Sequence, residues 1–179
     1  LYIAVKTSTP NMDPGGGLSS FATQRDGAVY DDDSVELMFC SPADEDVVYH
    51  CIVNSIGTIF DRKAQTSTNE KDVAFNLNDI RIGTLAQSGY WHLEMAFSLQ
   101  ELGVPGNKLK LNIARNWNSV GPSQLVATDN HLNTTRMISL AWSPHYPVCR
   151  MNGIGCSTDG LYEISLGMNR LPKDGHYAA

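Results

Sequence analysis

The sequence predicts an all-β sandwich built from short antiparallel strands. Apolar residues recur with a period of two: Val35, Leu37 and Phe39 alternate with Glu36 and Met38, as in a half-buried strand. Turns rich in Gly, Pro and Asn separate such segments, and no long stretch carries the 3.6-residue period of an amphipathic helix. With 179 residues, the chain is long enough to bury a core as one domain.

The period-two pattern places nine strands, and the intervening polar segments are turns or loops. The strands are predicted at residues 1–5, 35–40, 48–53, 58–61, 80–85, 91–97, 109–115, 136–141 and 162–166. The polar, aperiodic residues 62–72 are predicted to be a loop, and residues 98–103 a short helical turn that ends at Gly103.

The domain organisation follows from these strands. We predict one sandwich domain over residues 1–167 and a polar C-terminal tail over residues 168–179. Residues 10–26 and 118–135 are rich in loops, which on a β scaffold are the usual carriers of binding groups. The chain opens directly in a strand, from which we expect that a further segment precedes it.

Composition excludes two classes of partner. Thirteen Lys and Arg against nineteen Asp and Glu give a net charge of −6, and the basic residues are scattered singly, which argues against a nucleic-acid partner. No apolar stretch approaches the length of about 20 residues that a membrane-spanning helix needs.

The four cysteines allow one disulfide hypothesis. Cys149 and Cys156 flank a short loop that contains two glycines, and we predict a disulfide between them; two free thiols are the alternative. Cys40 and Cys51 fall on neighbouring strands without standing opposite each other, so their pairing stays open.

Six segments, in order, resemble the family 9 carbohydrate-binding modules and their wider superfamily. They are LYIAVK at 1–6, DDSVEL at 32–37, IVN at 52–54 with Gly57, GYWHLEMAF at 89–97, LNIAR at 111–115 and AWSP at 141–144. The resemblance implies an antiparallel jelly-roll-like sandwich that lacks the family's opening strands. It also implies a non-catalytic domain that holds a mono- or oligosaccharide between aromatic rings, within a larger extracellular, periplasmic or cell-surface protein.

The resemblance also implies binding residues. Tyr30 falls at the position of a stacking aromatic, Glu36 at that of an acceptor for sugar hydroxyls, and Arg136 at that of a bidentate donor. The alternatives are an ordinary exposed tyrosine for Tyr30, a solvated sheet face or an ion pair for Glu36, and a structural salt bridge for Arg136. Trp117 is the candidate for a further exposed ring, and Tyr146 is the nearest substitute for the second stacking aromatic.

Departures from the family pattern weaken the sugar site. Ile52 stands where binding members can carry a basic sugar contact, and the Cys149–Cys156 loop contains no tryptophan. Trp91 and Trp142 lie in the structural motifs and are expected in the core.

Metal binding and catalysis have little support in the sequence. Asp31, Asp32 and Asp33 could offer oxygens to calcium, but they lack the ligand spacing of a dedicated calcium loop, and a solvated acidic turn is the alternative. No carboxylate pair is marked out for glycoside hydrolysis, and no Ser-His-Asp set is suggested, so we expect no enzyme.

Two other functions remain open at this point. The first is a structural or assembly sandwich without a sugar site, which associates with other chains through a sheet edge. The second is a haem-binding domain of the DOMON type, for which Met38 and His50 on adjacent strands are the candidate ligands.

Overall fold

A computed structural model describes residues 1–9, 17–87, 89–117, 123–124, 132–141, 148–153 and 162–167. Within these residues the chain forms twelve β-strands and two single-turn 3-10 helices, with no α-helix. In chain order the strands are β1 (Tyr2–Ser8), β2 (Ser34–Ser41), β3 (Asp44–Asn54), β4 (Ile59–Gln65), β5 (Lys71–Asp72), β6 (Arg81–Gln87), β7 (Tyr90–Ala96), β8 (Lys108–Asn116), β9 (Ser123–Gln124), β10 (Ile138–Ala141), β11 (Val148–Gly153) and β12 (Tyr162–Gly167). The 3-10 helices span Val29–Asp31 and Thr134–Arg136.

The strands form two antiparallel sheets, which confirms the predicted all-β sandwich. The first sheet has the order β11-β12-β1-β7-β6. The second has the order β10-β8-β2-β3-β4-β5, and β9 also pairs with β8. Every described pairing is antiparallel, so neighbouring strands are joined by hairpins or by longer connections between the sheets.

The core lies between the two sheets. Val35, Leu37 and Phe39 of β2 belong to the same buried cluster as Trp91 and Leu93 of β7. The period-two alternation sends these side chains to the inner face of each sheet, where apolar surface leaves water. The ring of Phe39 contacts that of Phe97 at a centroid distance of 4.9 Å.

Strand β2 differs from the prediction, because all eight of its residues are buried. A second apolar cluster covers part of its outer face, where Leu132 and Met137 pack on Met38 and Cys40. The expectation of a half-buried strand is therefore wrong. A period-two pattern identifies the face that packs on the core but not whether another segment covers the opposite face.

The predicted loop at residues 62–72 is also corrected. Strand β4 continues to Gln65, and Lys71–Asp72 pairs back on it as β5. The hairpin between them is fixed by Asp46, whose carboxylate accepts hydrogen bonds from Thr66 Oγ1 at 3.0 Å and from the Ser67 amide at 2.7 Å. Polar residues can form this hairpin because the backbone groups of β4 and β5 pair with each other and the Asp46 carboxylate accepts hydrogen bonds from the turn.

The cysteines lie in different environments. Cys40 and Cys51 are buried free thiols, and Cys51 stands opposite Leu37 in the register rather than opposite Cys40. Burial raises the pKa of Cys40 to about 11, and that of Cys51 well above its usual value. Cys149 lies in β11, a strand that the sequence pattern does not predict, and Cys156 lies outside the described residues, as does the 168–179 tail.

We expect native alkylation at pH 8 to leave Cys40 and Cys51 unlabelled, because burial excludes the reagent and the raised pKa removes the reactive thiolate. Both should react after unfolding in guanidinium chloride, as measured by peptide mass spectrometry.

The same mapping without reductant should recover Cys149 linked to Cys156. Recovery of both as alkylated thiols would refute that disulfide.

The predicted helical turn is present and ends at a glycine. The Leu102 amide donates to the Ser98 carbonyl at 3.2 Å, and Gly103 has a φ of +60°. A β-carbon at Gly103 would lie 2.8 Å from the hydroxyl oxygen of Tyr49. The left-handed backbone therefore favours glycine here, and a β-carbon would in addition have to displace the Tyr49 hydroxyl.

Gly103→Ala should destabilise the fold by about 2 kcal/mol or more, since it adds left-handed backbone strain to a steric clash. Gly89→Ala is the control for strain alone, because Gly89 has a φ of +80° and open space around it. Gly106→Ala, with neither feature, should be within about 0.5 kcal/mol of wild type. Urea denaturation measures the three values, and an equal loss at positions 103 and 106 would show that Gly103 is not structurally required.

Candidate functional site

A group of polar side chains lies on the outer face of the second sheet. In the strand register, Ser34 stands opposite Asn116 of β8, Glu36 opposite Ile52 of β3, and His50 opposite Arg62 of β4. Even-numbered residues of these strands share the face away from the core. The register thus collects Ser34, Glu36, His50, Arg62 and Asn116, which we call the polar network.

Glu36 is the centre of the polar network. One carboxylate oxygen, Oε2, lies 2.8 Å from Nε2 of His50. The other, Oε1, accepts a hydrogen bond of 2.6 Å from the Asn116 amide, which also donates to the Ser34 hydroxyl at 3.1 Å. Glu36 is only 9% exposed, so these donors replace the water that its carboxylate loses on folding.

The protonation of His50 follows from its two partners. Arg62 Nε donates to His50 Nδ1 at 3.1 Å. Because an arginine side chain can only donate, Nδ1 accepts and the imidazole proton is on Nε2, where it faces Glu36. His50 is therefore a neutral imidazole that connects the Glu36 carboxylate to the Arg62 guanidinium.

Arg62 connects the polar network to aromatic side chains. Its guanidinium carbon lies 5.9 Å from the ring centre of Phe60, which is the preceding outward-facing residue of β4. Phe60 in turn meets Tyr30 edge-to-face, with a centroid distance of 5.9 Å and an interplanar angle of 88°. Tyr30 is 53% exposed, and Phe60 and Arg62 are half-buried, so this edge of the network reaches solvent. Asn116 is also half-buried but lies on the other side of Glu36, in β8.

Electrostatics at Arg62 reflect its partial burial. Desolvation lowers the pKa of Arg62, and the negative charge of Glu36 acts in the opposite direction. A guanidinium nevertheless stays charged at any physiological pH. Among the described residues, no carboxylate lies within 4.0 Å of Arg62, since the ion pairs found there join Arg25 to Asp61, His50 to Glu36, and Lys110 to Glu45.

Two of the predicted site residues lie at this site. Glu36 is in the polar network, and Tyr30, on the first 3-10 helix, reaches the network through Phe60 and Arg62. Among the described residues no ion pair joins Glu36 to an arginine, and the Glu36 carboxylate contacts His50 and Asn116 there.

Arg136 lies elsewhere. It is exposed at the end of the second 3-10 helix and contacts neither Glu36 nor Tyr30 in the described part of the chain. That helix is held near Lys110, whose ammonium donates to the Thr134 carbonyl at 3.3 Å. In the register Lys110 stands opposite Cys40, four residues along β2 from Glu36. At the rise per residue of a strand this separation is about 13 Å.

The aromatic candidates divide as well. Trp117 is 6% exposed, so the expectation of an exposed ring is wrong. The guanidinium of Arg115 lies 4.1 Å from its ring centre and covers one face. Trp91 is fully buried, as predicted, whereas Tyr146 and Trp142 lie outside the described residues.

The three aspartates have different surroundings. Asp32 accepts hydrogen bonds from the amides of Phe21 and Ala22 and from the Asn54 side chain, at 2.8 to 3.0 Å. Asp33 accepts from the Ser19 amide at 2.5 Å, whereas Asp31 is exposed. Over the described ranges, no group of three or more His, Cys, Asp or Glu is arranged to hold a metal, and the calcium site stays a prediction.

The geometry of His50 bears on the haem hypothesis. Met38 and His50 do stand opposite each other in the register. Both ring nitrogens of His50, however, have protein partners, Glu36 and Arg62. An iron ligand needs one nitrogen to be open, so the described residues do not fit a haem ligated by His50.

Comparison with known proteins adds a likeness of fold. No family model matches the chain, and no curated protein matches it. The chain resembles the crystal structure of a "putative carbohydrate-binding protein" from Bacteroides uniformis ATCC 8492, with a TM-score of 0.60 and 14% sequence identity, over 79% of this chain and 72% of that one. The likeness shows a shared sandwich fold. Membership of family 9 stays a prediction.

None of the described helices is long and apolar enough to span a membrane.

Sequence reasoning missed His50, Arg62, Phe60 and Asn116 as members of one site. The available signal was the strand register. Once β2 and β3 are joined by the turn at residues 42–43, His50 falls next to Glu36, and the turn at 55–58 brings Arg62 beside His50. The polar sequence around residue 62 predicts a loop instead, and a loop would not place its side chain on the outer face.

Glu36→Ala should destabilise the protein by about 1–3 kcal/mol, because the buried donors of His50 and Asn116 lose their acceptor. Glu94→Ala is the matched control: Glu94 is an exposed strand residue, and its loss should change stability by less than about 0.5 kcal/mol. Urea denaturation of both variants measures the difference. Equal stabilities would mean that the network does not support the fold.

Proposed function

We propose that this chain is a non-catalytic carbohydrate-binding domain of a larger extracellular or cell-envelope protein. The observation that carries the proposal is the arrangement of Arg62 beside Phe60 and Tyr30 at the solvent edge of the polar network. The binding surface comprises Tyr30, Phe60, Arg62 and Asn116. The fold likeness to the Bacteroides uniformis protein supports the same class of ligand.

The chemistry of this surface suits a pyranose ring. Sugars present an apolar face of C–H groups and an edge of hydroxyls. Tyr30 and Phe60 offer aromatic surface to the apolar face. Arg62 supplies N–H donors on β4, and Asn116 supplies an amide on β8, and both are planar groups that can bind sugar hydroxyls.

The buried part of the network prepares these groups for binding. Glu36 fixes the amide of Asn116, and His50 fixes Nε of Arg62. Side chains that are already ordered lose less entropy when a ligand binds. Glu36 and His50 thus act as positioning residues beneath the surface, which also explains why a carboxylate is buried at this position.

Arg62 and Arg136 are competing assignments for the bidentate donor. The family pattern favours Arg136, whereas the contacts of the described residues favour Arg62. The structure also offers an account of Ile52: the cation missing there is available from Arg62 on the adjacent strand. The contacts predicted for Trp117 and Tyr146 stay predictions.

Titration calorimetry against a panel of soluble mono- and oligosaccharides tests the proposal. Wild type should bind at least one sugar, and Arg62→Ala and Tyr30→Ala should each weaken binding by about tenfold or more, as for loss of a charged hydrogen bond or a stacking ring. Arg136→Ala is the matched control and should bind as wild type does. Retained binding in Arg62→Ala with loss in Arg136→Ala would favour the family assignment instead.

A second candidate function has one observation in its favour. Strand β6 is an edge of the first sheet in the described part of the chain, and its Leu85 is 54% exposed. An open edge strand with an exposed apolar side chain can pair with a strand of another chain. If no sugar binds and sedimentation shows concentration-dependent assembly, a structural role is the better account.

A further inference from the structure

We infer that the sugar bound at Arg62 carries a carboxylate, as a uronic acid does, and that the guanidinium pairs with it. This inference rests on the proposed function and names the ligand class of the same site. It narrows the ligand from any mono- or oligosaccharide to an acidic one, and the contacts of Arg62 are the reason.

The guanidinium of Arg62 is oriented but only partly used. Its Nε donates to His50, and neither terminal nitrogen makes a hydrogen bond to any described residue. The Nε contact fixes the plane of the group, so the two terminal nitrogens form a preset fork. A planar fork of this kind matches the two oxygens of a carboxylate bidentately, which single hydroxyls cannot reproduce.

The charge around Arg62 also needs a partner. Arg62 is half-buried and forms no direct ion pair in the described ranges, because the Glu36 carboxylate faces His50 and Asn116 and acts on Arg62 only across the imidazole. A cation that has lost part of its hydration gains more from an anion than from a neutral hydroxyl. The aromatic ring of Phe60 beside it does not neutralise the charge.

No carboxylate of the described residues is in direct contact with the Arg62 guanidinium. Asp32 and Asp33, next to Tyr30, direct their carboxylates to the amides of residues 19, 21 and 22. Although the chain has a net charge of −6, none of its described carboxylates forms an ion pair with the Arg62 guanidinium. An incoming carboxylate would meet the cation of the binding surface directly.

The experiment compares ligands that differ only in charge. The probes are methyl glucuronoside and methyl galacturonoside, as free acids and as their neutral methyl esters, together with the matching neutral hexosides. Titration at pH 7 and low salt should show the acid of at least one pair binding about tenfold or more tightly than its ester. Raising the salt concentration should weaken binding of the acid but not of a neutral sugar.

Variants assign the effect to Arg62. Arg62→Gln should bring acid and ester to the same affinity, and Arg62→Lys, which keeps the charge without the fork, should retain only part of the preference. Lys63→Gln removes the same charge from the opposite face of β4, where Lys63 lies 5.8 Å from the Tyr49 ring, and should keep the full preference. Thermal unfolding of each variant confirms that it is folded.

The outcomes separate the inference from the proposed function. If ester and acid bind wild type equally, or if neutral hexosides bind as tightly as the acids, the carboxylate inference is wrong and sugar binding stands. If the acid is preferred equally in Arg62→Gln, another cation is responsible and the inference is also wrong. If no sugar binds at millimolar concentration, both proposals fail.

Discussion

Burial of β2 on both faces is the constraint on which the rest of the second sheet depends. Its inner face packs on the core, and its outer face is covered in part by Leu132 and Met137. Glu36 lies on that outer face, so its carboxylate is removed from water and must find donors within the protein. The strands on either side supply them, His50 from β3 and Asn116 from β8. The polar network is thus a consequence of how this strand is covered, and the surface that we propose for binding is its solvent edge.

A second constraint is the anchoring of the segment that precedes β2. Asp32 holds the amides of Phe21 and Ala22, and Asp61, buried in β4, receives two hydrogen bonds from Arg25 at 2.7 and 2.8 Å. Burial raises the pKa of Asp61, whereas the Leu77 amide and Arg25 lower it. Fixing residues 19–25 in this way also fixes the first 3-10 helix and therefore the position of Tyr30. The acidic triplet, considered for calcium from its composition, contributes two of its members to this anchoring.

The fold was predictable from the sequence to a greater extent than the site. Alternation of apolar residues identified most strands, because the inner face of each sheet imposes a period of two. It did not reveal β5, β9 or β11, or the full length of β4. Strands β5 and β9 have two residues each, too few to show a period, and the end of β4 is polar. The family pattern was enough to predict Tyr30 and Glu36 as site residues. Predicting Arg62 and His50 would have required the register of β2, β3 and β4. The burial of Trp117 could not be foreseen either, because it depends on Arg115, whose side chain packs over the ring.

The chemistry of the polar network explains why position 36 carries a glutamate rather than its amide. His50 and Asn116 both donate, and to different oxygens of the same side chain. A glutamine offers one acceptor and one donor, so one of these contacts would set two donors against each other. His50 cannot relieve the conflict by changing tautomer, because Arg62 already donates to its Nδ1. Asn116 could relieve it only by rotating its amide, which would turn the N–H donors, now held by Glu36 and Ser34, outward in place of the carbonyl acceptor. The acceptor-only carboxylate therefore sets the orientation of the Asn116 amide, so the stability of the sheet and the binding that we propose for its outer face depend on the same buried charge.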